Sequence, residues 1–249
     1  MSDLPLVSIV TPSFNQARYI EATIRSVLTQ DYPRIEYIIV DGGSTDGTLD
    51  IVKSFEPLFD RRLRWISEKD NGIYDAMNKG INLAKGRYIG ILNSDDWYEL
   101  DTLKNVVSAL NDKDDIITYG ILRYIKGDKE LMLHRNSHHF LSEAMIPHPT
   151  SFVPKSIYQK YGLYNTQYPY AADYEFFLRL WLAGVKFECI DKVLANFRME
   201  GKSIRRSDDV YIETLKIQHR YKLKTISDVY LNTFRVRIRN FLRLKSSRI

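Results

Sequence analysis

Short apolar runs alternate with amphipathic segments through the first 110 residues. Turn-forming residues follow each run, and the segments between carry apolar residues at helical spacing, as at Ile20, Ile24, Val27 and Leu28. The runs are continuously apolar, which is typical of parallel strands covered on both faces. The pattern therefore predicts a doubly wound α/β half at 1–110. The predicted strands are 7–10, 37–40, 63–66 and 87–92, and the predicted helices are 19–29, 48–55, 74–84 and 100–110.

The pattern is weaker beyond residue 115. Residues 116–124 and 130–133 predict an antiparallel hairpin around Lys126-Gly127-Asp128, and residues 172–183 predict a helix. The tail is predicted to be helical from Val210 onward and to pack partly on the body. We expect a main domain at 1–205, with halves at 1–110 and 111–205, and a basic helical appendage at 206–249.

Composition places the chain among ordinary globular proteins, since 44% of its 249 residues are hydrophobic. Its apolar runs reach about five residues, whereas a membrane span needs roughly 18. The N-terminus has neither the basic region nor the apolar stretch of a secretory signal. The single cysteine, Cys189, excludes a disulfide framework. These features favour the cytoplasm.

The net charge of +5 is unevenly distributed, because residues 198–249 carry a net +9 and the rest a net −4. A basic amphipathic tail helix suits the anionic inner face of the plasma membrane. The alternative is a helix packed on the body with its arginines in water. No nucleic-acid recognition motif accompanies the charge, so we expect no nucleic acid partner. The tail's apolar positions are Leu231, Phe234, Ile238, Phe241 and Leu242, and its arginines include Arg235, Arg237, Arg239 and Arg243.

Three predicted strands end in polar clusters: Pro12-Ser13-Phe14-Asn15, Asp41-Gly42-Gly43-Ser44 and Asn93-Ser94-Asp95-Asp96. Any one cluster is explained by turn formation alone. Ligands of doubly wound sheets bind beyond the carboxyl ends of the strands, so three clusters together favour a binding site.

The adjacent acids Asp95 and Asp96 suit Mg²⁺ or Mn²⁺, which commonly bind one or two protein carboxylates and substrate phosphates. Asp96 has an alternative role as the cap of the following helix, and both roles are compatible. The chain lacks the glycine motifs of dinucleotide oxidoreductases and P-loop nucleotidases. Its five histidines do not have zinc-site spacing.

The chain contains, in order, the segments VSIVTPSFN (7–15), IRSVLTQ (24–30), VDGGSTDGT (40–48), DNGIYDAMNKG (70–80) and LNSDD (92–96). This ordered set resembles the family 2 glycosyltransferases over roughly residues 6–200. The resemblance implies a GT-A fold, a nucleotide-diphosphate sugar donor, a divalent metal and inversion at the anomeric carbon. It also assigns nucleotide-sugar binding to 1–110 and the acceptor to 111–205.

The resemblance also implies roles on the donor side. Asp41 would hydrogen-bond the base, and Asn71 would lie near the diphosphate or ribose. Asp95 would be the metal ligand of a D-x-D motif whose first position is here Asn93. Many members have arginine where this chain has Met77, so diphosphate neutralisation would pass to Lys79 or a tail residue. The implied donor-binding residues are Pro12, Phe14, Asn15, Asp41, Asn71, Lys79, Asn93, Ser94 and Arg198, the last beside a closing loop at Gly201-Lys202-Ser203.

On the acceptor side, the resemblance makes Asp173 the general base, within a segment whose usual first acid is here Ala172. The alternative for Asp173 is a helix N-cap. His148 would border the acceptor, or would simply be a hydrogen-bonded loop residue. Trp97 would stack on a sugar, or would belong to the core.

The sequence thus predicts a metal-dependent inverting glycosyltransferase that moves a sugar, with UDP as the expected carrier, to a glycan hydroxyl. The expected acceptor is lipid-linked, as in the synthesis of a bacterial surface polysaccharide such as lipopolysaccharide. One alternative is a non-catalytic nucleotide-sugar-binding or assembly protein, which the departures at Asn93, Met77 and Ala172 favour. A sugar nucleotidyltransferase is less compatible, because the loop after the first strand is not rich in glycine and basic residues.

Overall fold

The computed structural model describes residues 4–199 and 207–246. Its elements follow the predicted alternation of strands and helices through the first half of the chain. The strands are β1 (Val7–Ser13), β2 (Ile35–Asp41), β3 (Leu63–Ser67), β4 (Tyr88–Ile91), β5 (Trp97–Tyr98), β6 (Ile116–Lys126), β7 (Lys129–His134), β8 (Phe152–Pro154) and β9 (Lys186–Arg198). The helices are α1 (Ile20–Leu28), α2 (Thr48–Phe55), α3 (Ile73–Leu83), α4 (Thr102–Leu110), α5 (Lys155–Tyr161), α6 (Ala172–Leu182), α7 (Ser207–Arg220) and α8 (Ile226–Ser246).

Within the described residues, all the strands join one sheet in the order β3-β2-β1-β4-β8-β6-β9-β5, with β7 paired to β6. The first four strands are parallel in the 3-2-1-4 order of doubly wound nucleotide-binding sheets. β8 is antiparallel to both β4 and β6, and β7 forms the predicted hairpin with β6. The predicted mostly parallel α/β fold with a smaller antiparallel addition is confirmed.

The 13-residue strand β9 was not predicted from the sequence pattern. Its first half is mostly polar and partly exposed, so it lacks the apolar run that marks a buried strand. It becomes a strand by pairing in parallel with β6, from Ile116 opposite Lys186 to Ile125 opposite Arg198. This long-range pairing fixes the position of Arg198, the last residue of β9, opposite Ile125.

Two apolar layers cover the sheet, because alternate side chains of each central strand point to opposite faces. Tyr37 and Ile39 of β2 pack in the layer under α1, α2 and α4, whereas Ile38 and Val40 pack in the layer under α3 and α6. α3 approaches β1 closely, since an added Cβ on Gly80 would clash with a methyl group of Val10. The parallel half is therefore buried on both faces, as its continuous apolar runs predict.

The C-terminal segment packs on the body through α7. Ile217 is fully buried against Ala171, Tyr174 and Leu178 of the region around α6. α8 buries Val229 and Val236. None of the helices in the described ranges is long and apolar enough to cross a bilayer. The description of side chains ends at Val236. It therefore leaves out six residues of the predicted tail pattern: Arg237, Ile238, Arg239, Phe241, Leu242 and Arg243.

We expect Ile217→Ala to lower the free energy of unfolding by about 3 kcal/mol, because it leaves a cavity in a fully buried contact. Ile226→Ala in the neighbouring helix is the matched control, since Ile226 is 50% exposed, and it should change stability by under about 0.5 kcal/mol. Urea titration of both variants measures the difference. Equal stability of the two variants would show that α7 is not part of the folded core.

Candidate functional site

The sheet register places the three predicted polar clusters side by side. Ser13 at the end of β1 pairs with Asp41 at the end of β2, and Asp41 pairs with Ser67 at the end of β3. On the other side of β1, Val10 pairs with Ile91, so the 93–96 cluster follows immediately. The clusters therefore meet at one edge of the sheet, which is where ligands of this architecture bind.

Asp41 is fully buried and organises the loop that follows β2. Its Oδ2 accepts hydrogen bonds from the backbone N–H groups of Gly43 at 3.0 Å and Ser44 at 2.8 Å, and from Ser67 Oγ at 2.8 Å. Ser44 Oγ donates to Oδ1 of the same carboxylate. Asp41 thus accepts four hydrogen bonds from the protein, three on Oδ2 and one on Oδ1.

The loop after β1 is fastened to the loop after β2. Asn15 has a left-handed backbone, with φ of 52°; its N–H donates to Ser44 Oγ at 2.8 Å, and its Oδ1 accepts the Thr45 N–H at 2.9 Å. The Ala17 N–H donates to Asp46 Oδ2 at 3.0 Å, and the Gln16 N–H donates to Thr48 Oγ1 at 2.8 Å. Asp46 and Thr48 were given no role from the sequence, although both lie in the VDGGSTDGT segment.

An exposed aromatic ring borders the loop at residue 42. Phe14 is 48% exposed, and an added Cβ on Gly42 would lie 3.3 Å from its ring and 3.0 Å from the carboxyl carbon of Asp70. The backbone at Gly42 therefore fits between these two side chains only because glycine has no Cβ. Pro12, also predicted to contact the nucleoside, is buried within β1.

Asn71 is exposed and lies two residues before α3 begins, and its N–H donates to Asp75 Oδ2 at 3.0 Å. Lys79 lies further along α3, with its Nζ 2.8 Å from Glu68 Oε1 and 3.4 Å from Asp75 Oδ2. Its charge is thus balanced by carboxylates in this structure. Met77 is 2% exposed and belongs to the core, so its side chain does not offer a contact to a phosphate.

Asp96 does not cap the following helix, so that alternative was wrong. α4 begins at Thr102, with Asp101 at its N-cap position. Asp96 is 1% exposed and accepts hydrogen bonds from the Arg198 N–H at 3.1 Å and from Asn93 Nδ2 at 3.2 Å. Burial raises the pKa of Asp96 well above its usual value, and the charge of neighbouring Asp95 raises it further.

Oxygen atoms suited to a divalent cation lie at the end of β4. Asp95 is partly exposed, and the buried Asn93 Oδ1 has no hydrogen-bond partner within the described part of the chain. Ser13 Oγ is similarly buried and unpaired there. Residues 4–199 and 207–246 contain no group of three or more His, Cys, Asp or Glu side chains that could hold a metal. One carboxylate and one amide oxygen nevertheless fit Mg²⁺ or Mn²⁺ when substrate phosphates complete the coordination.

Arg198 is held between two aromatic rings beside Asp95. Its guanidinium carbon lies 4.8 Å from the ring centroids of both Tyr19 and Trp97, and its Nε donates to the Asp95 carbonyl at 3.2 Å. Trp97 therefore packs on the arginine next to the donor-side loop, where a role in acceptor stacking stays a prediction. The predicted closing loop at 201–203 lies outside the described residues.

Asp173 lies in the first turn of α6, but it is not the N-cap, since Ala171 occupies that position. The capping alternative was therefore wrong. Its Oδ1 accepts hydrogen bonds from the Tyr74 hydroxyl at 2.8 Å and the Tyr174 N–H at 2.9 Å. Tyr74 lies in the first turn of α3, three residues after Asn71. A single hydrogen bond therefore connects Asp173 to the helix that follows Asn71.

His148 is buried behind this region, with 8% of its surface exposed. Its Nε2 lies 3.1 Å from the Tyr164 hydroxyl, and its ring contacts Phe177 edge-on. Burial lowers the pKa of His148, although the charge of Asp173 opposes this shift. A neutral, hydrogen-bonded histidine supports the wall of the site; its predicted contact with an acceptor stays untested.

Similar proteins indicate the family of this chain. The sequence profile of glycosyl transferase family 2 matches residues 8–174. An uncharacterized glycosyltransferase of Mycobacterium tuberculosis is 33% identical over 93% of this chain and 92% of its own length. A PGL/p-HBAD biosynthesis glycosyltransferase of Mycobacterium bovis is 35% identical over 70% of this chain and 69% of its own length.

Two solved structures share the fold. The chain superposes on Staphylococcus aureus TarS 1–349 in complex with UDP-GlcNAc with a TM-score of 0.68, at 18% identity, covering 85% of this chain and 65% of TarS 1–349. It superposes on the mannosyltransferase PcManGT from Pyrobaculum calidifontis, in complex with GDP-Man and Mn²⁺, with a TM-score of 0.68. The identity to PcManGT is 21%, and the match covers 88% of this chain and 65% of that protein.

We expect Asp46→Asn to destabilise the protein at neutral pH and to do so less as the pH falls. Burial raises the pKa of Asp46, but the hydrogen bonds from Thr48 and Ala17 outweigh burial and hold this pKa below its usual value of 3.8. A depressed folded-state pKa contributes stability that is fully present above the unfolded-state value and lost as pH falls through the folded-state value.

The measurement is the free energy of unfolding in urea at a series of pH values from 7 to 3. Asp128→Asn, in the exposed turn between β6 and β7, is the control and should match the unmodified protein throughout. A difference between Asp46→Asn and the unmodified protein that stays constant with pH would show that the Asp46 charge does not fasten the two loops.

Proposed function

We propose a reaction for this chain from one premise, namely that it belongs to glycosyl transferase family 2. It is a glycosyltransferase, and we propose that it moves a sugar from UDP to a hydroxyl of a glycan acceptor with inversion. The observation that carries this proposal is the meeting of three polar strand ends at one sheet edge, with Asp173 fastened to the adjacent start of α3. The PGL/p-HBAD biosynthesis relative supports a role in glycan biosynthesis.

The nucleoside half of the donor is assigned to the loops after β1 and β2. Phe14 offers an exposed ring for stacking on a base, and the fastened Asn15–Ser44 pair gives the pocket a fixed shape. TarS was solved with UDP-GlcNAc, which supports a uridine donor, whereas PcManGT was solved with GDP-Man. The choice of UDP is therefore the part of the donor proposal that an assay must decide.

The diphosphate is assigned to the end of β4. A divalent cation held there by Asp95 and Asn93 Oδ1 would neutralise the charge of the leaving diphosphate. The PcManGT complex with Mn²⁺ supports this assignment. Arg198 adds a fixed positive charge beside Asp95, since its stacking on Tyr19 and Trp97 limits the motion of its side chain.

Asp173 is the proposed general base. Its carboxylate takes the proton of the acceptor hydroxyl while the acceptor oxygen forms a bond to the anomeric carbon. The bond from that carbon to the diphosphate oxygen breaks on the opposite face, so the nucleoside diphosphate leaves with the electron pair. Inversion follows from this single displacement.

We expect Asp173→Asn to reduce turnover by about 100-fold or more, because the amide cannot accept the proton. The assay is release of nucleoside diphosphate from a panel of UDP- and GDP-sugars with Mn²⁺ or EDTA. Donor affinity, measured by calorimetry, should stay within about twofold of the unmodified value. Asp191→Asn is the control, since the side chain of Asp191 is 89% exposed. Undiminished turnover of Asp173→Asn would contradict this assignment, and a chain that binds no nucleotide sugar would contradict the donor proposal.

We further propose that α8 rests on an anionic membrane surface, where a lipid-linked acceptor would be available. Tyr230, Leu231 and Phe234 are 72%, 51% and 62% exposed on this helix, and Arg235 is exposed beside them. Residues 198–249 carry the net +9 charge noted above. Apolar side chains together with excess basic charge are the chemistry of a helix lying in the headgroup region.

We expect the protein to sediment with vesicles of phosphatidylglycerol and phosphatidylcholine, and to do so less with phosphatidylcholine alone. Phe234→Ser should weaken binding to the mixed vesicles several-fold, because it removes a large exposed apolar group. Leu131→Ser in β7 is the matched control, since Leu131 is 50% exposed but distant in the chain from α8. Equal binding by both variants and the unmodified protein would contradict a membrane role for this helix.

A further inference from the structure

Tyr74 connects two elements that are 99 residues apart in the sequence. It lies in the first turn of α3 and is 7% exposed. Its hydroxyl is 2.8 Å from Asp173 Oδ1 and 3.2 Å from the Tyr170 carbonyl oxygen. The donor-side helix thus touches the side chain that we propose as the base.

The contact leaves one oxygen of Asp173 for chemistry. Within the described residues, both hydrogen bonds of this carboxylate, from the Tyr74 hydroxyl and the Tyr174 N–H, end on Oδ1. The χ2 torsion of an aspartate is otherwise broadly distributed, so two donors on one carboxylate oxygen fix the direction of the other oxygen. Oδ2 is therefore the oxygen that can face an acceptor hydroxyl.

Other titratable groups face Asp173 from the surrounding elements. His148 and Tyr164 lie on one side, and Glu213 of α7 lies on another, where it accepts the N–H groups of Tyr170 and Ala171 at 2.7 Å each. Burial lowers the pKa of His148, and burial raises the pKa of Glu213. In the described part of the chain, the hydrogen bond that Asp173 accepts from a side chain comes from Tyr74 and not from His148, Tyr164 or Glu213.

Tyr74 is a neutral donor over the working pH range. Burial raises its pKa well above the usual value, and the charge of Asp173 raises it further. The hydroxyl therefore keeps its proton and can donate it in a hydrogen bond to the Asp173 carboxylate.

We propose that Tyr74 is a positioning residue that aims Oδ2 of Asp173 at the acceptor, thereby joining the donor-binding helix α3 to the catalytic base. This inference rests on the proposed role of Asp173 as the base. It assigns a task to a residue of the DNGIYDAMNKG segment that the donor-binding roles leave unused.

Tyr74→Phe removes the hydroxyl and keeps the ring, whose centroid lies 5.8 Å from that of Tyr164. The first readout needs no turnover: the ¹³C chemical shift of the Asp173 carboxylate at neutral pH, with labelled aspartate and the signal identified by its loss in Asp173→Asn. We expect this chemical shift to change in Tyr74→Phe, because the carboxylate loses the hydrogen bond from the hydroxyl. An unchanged chemical shift would overturn the proposal.

The second readout is the split between kcat and KM for donor cleavage. We expect kcat to fall about tenfold in Tyr74→Phe, because the base is no longer held in the productive orientation. The KM for the donor and the donor affinity by calorimetry should stay unchanged. Parallel losses of kcat, donor affinity and melting temperature would indicate a merely structural role and overturn the proposal.

Tyr88→Phe is the matched control. It removes another buried hydroxyl, bonded to the Lys113 carbonyl at 3.1 Å, at the opposite end of β4 from the 93–96 cluster. It should cost stability without lowering kcat. Undiminished turnover of Asp173→Asn would refute the proposed base, whereas an inactive Asp173→Asn with an unchanged kcat in Tyr74→Phe would refute only the role of Tyr74.

Discussion

The parallel register of β1 with β2 and β4 is the constraint on which the site depends. Side chains on a strand alternate between faces, so a slip of one residue would exchange the two apolar layers. Both layers are filled, and each central strand is buried on both faces, so a shift of the register would disrupt the packing of side chains in both layers. With the register fixed, Ser13, Asp41 and Ser67 must end in one row, and the 93–96 cluster must follow beside them.

The loops beyond that row are held by their own polar side chains. Asp41 accepts four donors from its own loop and from Ser67, and Asp46 and Thr48 receive N–H groups of the loop after β1. Such bonds satisfy backbone groups that have left the sheet. Residues that the sequence predicts as nucleotide contacts, such as Asn15 and Asp41, therefore also hold the loops after β1 and β2 in shape. The surface at this edge of the sheet is thus formed without a ligand.

α3 joins the two halves of the molecule. Asn78 exchanges two hydrogen bonds with the backbone of Tyr164, at 2.9 and 3.0 Å, and Tyr74 reaches Asp173 one turn earlier on the same helix. α7 supports the opposite side of this region through Glu213 and Ile217. Asp173, the proposed base, is thus held from α3, and its surroundings are held from α7. A deletion that begins at residue 206, the predicted appendage boundary, would remove contacts of α6.

The sequence by itself determined the strands of the parallel half, the polar residues at their ends and the family, because hydrophobic period and turn chemistry are local properties. The polar strand β9 and the stacking of Arg198 on Tyr19 and Trp97 were decided by tertiary structure. So were the fastening of the loops by Asp46 and Thr48, and the pairing of Tyr74 with Asp173. Each of these joins residues that are distant in the chain, and no local pattern encodes such a partner. The two capping alternatives failed for the same reason, since Asp96 and Asp173 find partners across the fold that a helix-start pattern does not record.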